Sequence, residues 1–235
     1  MSKWCLRARA RACGVVVVTV AALTWPAGAA EAQGPWMDPS LSPDARASLL
    51  IPEMTLTEKV DLMTQDPVPV GAAEAYFNKA IPRIGLPDLR MADIGPGVRF
   101  LPSPTTAFPM GLATAATWNP ALAGPLGGAV AKEARLKRQN MILGPNVDIP
   151  RNPWWGRTAE SFGEDPLLSG LMASRFVRGA QAGGKMAVNL KHYNLYTQET
   201  NRGRPPITNS VADERTLQEI YTRPWAARWR RTSLR

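Results

Sequence analysis

Met141-Ile142-Leu143-Gly144 and Met186-Ala187-Val188-Asn189-Leu190 read as two short strands separated by one helix, and the second ends directly in Lys191-His192. The helix is signalled by Asp165-Pro166, an acidic cap followed by a proline at the first helical position. Leu168, Leu171, Met172 and Phe176 then run along one side of it to about Ala180. A strand, a helix and a strand in that order are the repeating unit of an α/β sheet.

The same alternation extends outward. Leu89 to Ala92 is an apolar stretch, and Phe108-Pro109-Met110-Gly111-Leu112-Ala113-Thr114-Ala115 reads as a strand. Asn119-Pro120 caps a helix reaching about Lys137, weakened by Pro125, Gly127 and Gly128. Thr55-Leu56-Thr57-Glu58 has capping-box spacing and opens a helix carrying Leu56, Val60 and Met63. A last helix is expected from Asp213 to Tyr221. With 22 Pro and 19 Gly in 235 residues, a loop-rich α/β protein fits better than a helical bundle.

A 45% hydrophobic and 20% charged composition excludes a wholly disordered chain. The net charge of +9 sits at the ends. Lys3, Arg7, Arg9 and Arg11 open the chain, and Arg223, Arg228, Arg230, Arg231 and Arg235 close it. Residues 33–222 carry 19 basic and 18 acidic side chains. A nucleic-acid binder concentrates positive charge on its folded body, so no nucleic-acid partner is expected.

Residues 1–32 read as a cleavable signal peptide: a basic stretch, the apolar run Val15 to Leu23, and Ala30-Glu31-Ala32 as the cleavage site. The run is short of the roughly 20 residues a spanning helix needs, so no stable membrane anchor is expected. The expected location is secreted or periplasmic. Cys5 and Cys13 both lie inside this leader, which leaves the mature chain without disulfide or thiol chemistry. No metal-ligand spacing or nucleotide-binding glycine fingerprint is visible, and no cofactor is expected. Residues 223–235 form a divergent basic tail, rich in Arg and Trp. It reads as a solvated tail, or as the point where the chain departs from its native course. A third function, membrane or nucleic-acid association, would act through this tail.

Four segments combine polar groups with stiff backbone. Asp93-Ile94-Gly95-Pro96-Gly97-Val98-Arg99 sets a carboxylate on a tight turn that a sugar ring could approach; an ordinary turn aspartate reads the same way. Asn152-Pro153-Trp154-Trp155-Gly156-Arg157 through Glu160 and Glu164 joins indole faces to a planar donor, Arg157, suited to vicinal hydroxyls. Glu160 and Glu164 could equally hold the loop, and Asp165 caps the helix. Lys191-His192 stands at a strand end, where α/β folds keep their chemistry, although a lone histidine is commonly structural. Gln198-Glu199-Thr200-Asn201-Arg202 could bond to that third segment or cover it.

Together these segments resemble the N-terminal domain of glycoside hydrolase family 3, the β-glucosidase family, from about Pro52 to Trp225. Leu143-Gly144-Pro145-Asn146-Val147-Asp148-Ile149-Pro150-Arg151-Asn152-Pro153-Trp154-Trp155-Gly156-Arg157, continuing through Glu160 to Pro166, is similar to the family signature. Leu190-Lys191-His192-Tyr193 with Gln198-Glu199 is similar to the block that follows. Asp93 to Arg99 is similar to the family's aspartate-glycine-proline turn, with Ile94 where glycine is usual. The resemblance implies a partial (β/α)8, TIM-like barrel over residues 33–222. Asp93, Arg157, Lys191, His192 and Arg202 would then bind the terminal sugar of a β-glucoside or short oligosaccharide.

Family members retain configuration and need two carboxyl groups roughly 5 Å apart. The nucleophile lies on a later barrel strand and the general acid usually in a second domain. A full barrel takes about 250 residues. The C-terminal strands and second domain are therefore expected to be missing, and no catalytic residue is expected in the chain. Glycoside hydrolysis is the function the resemblance implies, with a non-catalytic carbohydrate-binding protein as the alternative.

Overall fold

The computed structural model describes residues 34–64, 76–101, 103–184 and 186–226. Three strands and two long helices position everything that follows. Strand β2 (Leu89–Asp93), β3 (Met141–Asn146) and β4 (Ala187–Lys191) run parallel, and the short β1 (Tyr76–Asn78) pairs antiparallel with β2. The sheet order is β1-β2-β3-β4. This is an open α/β sheet, with its parallel strands laid as in part of a TIM-like barrel.

Helix α4 (Ala123–Leu136) connects β2 to β3, and α5 (Pro166–Gln181) connects β3 to β4. Their buried faces close one core with the strands: Ala92 and Ile142 from the sheet, Val130, Ala131 and Ala134 from α4, and Met172, Ala173 and Phe176 from α5. Asp165 caps α5 as its sequence announces, accepting from the N–H groups of Leu167 and Leu168 at 2.8 and 2.9 Å. Leu168, Met172 and Phe176 are buried, but Leu171 is exposed. The buried stripe of α5 turns instead through the small residues Ser169, Gly170, Ala173 and Ser174.

That turn follows from how closely α4 and α5 cross. A Cβ added at Gly127 would stand 2.1 Å from the Phe176 carbonyl oxygen, and one at Gly179 would stand 1.9 Å from that of Gly124. Gly127, which weakens α4 as an isolated helix, is thus a residue that admits its neighbour.

Several local expectations hold. Helix α1 (Pro43–Leu50) precedes α2 (Leu56–Met63), whose capping box between Thr55 and Glu58 is complete. Leu56, Val60 and Met63 on α2 are exposed. Asn119 caps the turn that leads into α4. The last helix forms as one α-turn (α6, Glu214–Thr216) continuing into a π-turn, Leu217–Tyr221, with Asp213 as its cap.

The strand expected over Phe108 to Ala115 does not form. The chain reaches Met110 as extended loop, and Gly111–Ala115 is the short helix α3. Pro109 has no N–H to give a ladder, and the Phe108 N–H is already taken by the Pro96 carbonyl. The segment expected to be a signal peptide, with its two cysteines, and the tail from residue 227 onward lie outside the described residues.

Strand β3 carries a bulge. Leu143 pairs with Asn189, but the next partners are Asn146 and Lys191, so three steps on β3 match two on β4. Gly144, at φ 152°, makes this possible, and the Ile94 side chain fills the space beside it, where a Cβ would lie 2.5 Å away. Ile94 therefore packs under the turn that carries Asp93.

Candidate active site

Because β2, β3 and β4 are parallel, their C-terminal ends share one edge of the sheet. Asp93 ends β2, Asn146 ends β3 and Lys191 ends β4. Lys191 Nζ donates to Asp93 Oδ1, and both side chains are largely buried. The Arg99 N–H donates to the Asp93 carbonyl at 2.8 Å and closes the turn between them.

The loop after β3 brings in two further charges. Arg157 donates to both oxygens of Glu160, from Nε at 3.2 Å and from Nη2 at 2.7 Å. Such a two-point contact fixes the plane of the guanidinium. Burial opposes the charges of both partners, but their bonding outweighs it. The Glu160 carboxyl is held below its usual range by Arg157, with Lys191 and Arg99 adding to the effect. Arg157 is held above its own range, chiefly by Glu160. Glu160 thus holds the loop, one of the two roles open to it from sequence.

His192, the only histidine in the chain, sits between two partners. Its Nδ1 is 2.7 Å from Asp148 Oδ2, and its Nε2 is 3.3 Å from Arg157 Nη1. The Asp148 side chain is 1% exposed. Burial pushes its carboxyl up, against the lowering effect of His192. The Tyr196 ring meets the His192 ring edge to face at 4.5 Å and packs similarly on Trp155 at 5.9 Å.

Arg202 stands at the rim. Its side chain is 58% exposed, its guanidinium lies 5.0 Å from the centre of the Tyr196 ring, and it bonds Glu199 at 3.3 Å. The Tyr196 hydroxyl also donates to Glu199. The segment around Gln198 and Glu199 thus joins the site through Tyr196. Burial raises the Tyr196 phenol, and Glu199 raises it further.

Asp93, Arg157, Lys191 and His192, four of the five residues expected to bind sugar, therefore meet on one edge of the sheet, and Arg202 joins them at the rim through Tyr196 and Glu199. Asp148 and Tyr196 were not singled out as site residues, and Arg99 entered only as part of its turn. Asp148 had a usable signal: a carboxylate between Val147 and Ile149, in an apolar stretch just past a strand, needs a buried partner. Among the described residues, no group of three or more His, Cys, Asp or Glu side chains is placed to hold a metal ion.

What can the arrangement do? It presents alternating donors and acceptors, fixed by one another, on a rigid strand edge. Neutral polyols bind such surfaces through many hydrogen bonds. The four carboxylates, Asp93, Asp148, Glu160 and Glu199, each already face a cation, an imidazole or a phenol.

Residues 59–228 match the profile of the "Glycosyl hydrolase family 3 N terminal domain". The chain is 38% identical over 188 residues to a probable β-glucosidase E of Emericella nidulans, covering 77% of this chain and 18% of that protein. It is 37% identical over 180 residues to a probable β-glucosidase J of Aspergillus fumigatus, covering 75% and 20% respectively. Among solved structures, β-glucosidase 3B of Thermotoga neapolitana in complex with α-D-glucose superposes with a TM-score of 0.70 at 36% identity, over 77% of this chain and 27% of that one. A Streptomyces venezuelae β-glucosidase in complex with D-glucose gives 0.72 at 34% identity, over 77% and 23%. The chain spans about a fifth of the length of these curated relatives.

Proposed function

The chain belongs to glycoside hydrolase family 3, and from that premise we propose that it carries the terminal-sugar site of a β-glucosidase. Asp93, Lys191, Arg157, His192 and Arg202 are the residues that would hold the ring hydroxyls of a β-glucoside or short oligosaccharide. The observation that carries this reading is the Asp93–Lys191 pair beside the Arg157–His192 contact, all drawn from the C-terminal ends of neighbouring parallel strands and the loops that follow them. Solved β-glucosidases that hold glucose match this chain closely, which supports glucose as the sugar.

A carboxylate accepts from two hydroxyls at once, and ammonium and guanidinium donate to the oxygens between them. A sugar entering the site exchanges water for these fixed partners, with little reordering of the protein. Cleavage makes a different demand: a free nucleophilic carboxylate and a protonated acid on opposite sides of the bond. The four site carboxylates are engaged in holding the cradle. The residues described here therefore bind and orient, while bond breaking falls to groups beyond the four.

The same engagement favours carbohydrate binding without turnover as the behaviour of this 235-residue chain by itself. Export is part of the proposal, supported by the basic and apolar leader of residues 1–32. Among the described residues, no helix is long and apolar enough to cross a membrane.

Calorimetric titration with D-glucose tests the reading. Saturable binding that disappears in Arg157→Ala, with no release of the aryl group from an aryl β-glucoside, is the expected result. No heat at high glucose concentration would remove the sugar-site assignment. Turnover abolished by Asp93→Ala would show that the chain also cuts.

A further inference from the structure

The two contacts of His192 agree on where its proton lies. A guanidinium has only donors, so the Arg157 Nη1 group 3.3 Å away requires a lone pair on Nε2. A neutral imidazole with a free Nε2 carries its hydrogen on Nδ1, and there Asp148 Oδ2 waits at 2.7 Å. Asp148 is itself fixed. Its own N–H donates to Asn146 Oδ1 at 2.8 Å, and its other carboxylate oxygen takes the His192 backbone N–H at 3.4 Å. The Tyr196 ring against the imidazole leaves little room to turn.

We propose that Asp148 is a positioning residue that locks His192 as the Nδ1–H tautomer, so that the sugar site meets a hydrogen-bond acceptor at Nε2 and not a donor. A free imidazole in water favours the opposite tautomer, so the lock is a property of the fold. In the resting protein Arg157 occupies the Nε2 lone pair. A sugar hydroxyl would share or take that position by donating its hydrogen. This role in recognition rests on the sugar-site reading above; the tautomer itself does not.

Because the chain has one histidine, a single imidazole gives the whole signal. The measurement is a long-range proton–nitrogen spectrum of the 15N-labelled full chain, at mildly alkaline pH where free histidine is neutral. The expected result is a protonated-type Nδ1 and an unprotonated-type Nε2. Arg157→Ala should keep that pattern, since Asp148 remains. Asp148→Leu in the Arg157→Ala background should move the population toward Nε2–H, while a backbone amide spectrum reports that the fold is kept.

An Nε2–H pattern in the unsubstituted chain or in Arg157→Ala overturns the proposal, as does an unchanged pattern in a folded double variant. If the double variant does not fold, the first two spectra decide. Failure to bind glucose would remove the sugar site but leave the tautomer result standing, so the two readings fail separately.

Discussion

The crossing of α4 with α5 and the charged edge above β2–β4 are held together in opposite ways. The helices meet because atoms are missing: Gly127 and Gly179 leave room for a carbonyl of the facing helix. The strand edge holds because charges are present and matched: Lys191 with Asp93, Arg157 with Glu160, His192 with Asp148. One region leaves no room for an added methyl group, and the other is built from matched partners. Packing therefore sets whether the sheet exists, and pairing sets whether its edge keeps its shape.

The largest effect should come from filling the helix contact. Gly→Ala inside a helix ordinarily gains up to about 1 kcal/mol in propensity. At Gly127 or Gly179 the new Cβ would lie near 2 Å from a backbone oxygen, and backbone cannot swing aside. Overpacking should win, at about 3 kcal/mol or more lost in urea denaturation. An alanine that is neutral or stabilising at either position would break the contrast drawn above.

Next comes removal of a partner. Lys191→Met leaves Asp93 largely buried without its cation. Loss of one member of a buried pair costs several kcal/mol, and the remaining exposure of this one reduces that to about 2 kcal/mol. Glucose binding should be lost at the same time. A variant that keeps both stability and binding would show that the edge does not depend on pairing.

Acid sharpens the comparison further, because two carboxylates pull in opposite senses. The folded Glu160 carboxyl titrates below its unfolded value, so its contribution is present above the ordinary glutamate range and is lost as pH falls through the folded value. Asp148 titrates above its unfolded value, so its contribution is full at low pH and is lost as pH rises through the folded value. Glu160→Gln should therefore flatten the loss of stability on acidification, as read from melting temperatures across an acid series. An unaltered acid profile would count against the Arg157–Glu160 contact as a source of stability.

The smallest effect belongs to the rim. Tyr196→Phe removes one hydroxyl from Glu199 and keeps the ring that packs on His192. The expected loss is under about 1 kcal/mol, with glucose binding largely retained. A large loss of binding would move Tyr196 from supporting ring to direct contact.

Local rules explain what could be read from sequence. Asp165 capping α5, Thr55 with Glu58, Asn119, and Lys191 at a strand end are each fixed by a few neighbours in the chain. The misreadings are all tertiary. Gly127 looked like a flaw in α4 because the helix that needs it lies fifty residues on. Phe108 to Ala115 has the apolar content of a strand, but Pro109 and the claim of Pro96 on the Phe108 N–H remove it from any ladder. Leu171 matched the helical stripe, yet the close crossing rotates the buried face toward Ala173 and Ser169. The apolar neighbours of Asp148 announce a buried carboxylate, but nothing adjacent in sequence reveals that His192 will arrive opposite it.

The extra residue in β3 sets the parity of everything after it. Side chains along a strand alternate between two faces, so one inserted position exchanges them. Counting from Leu143 opposite Asn189, the bulge at Gly144-Pro145 shifts the phase by half a period before Asn146 comes opposite Lys191. Shortening that stretch by a single residue would send Asp148 toward the face away from the imidazole, with every helix and every charge still encoded. The place of Asp148 at this sheet edge is thus specified by a count of residues as well as by chemistry.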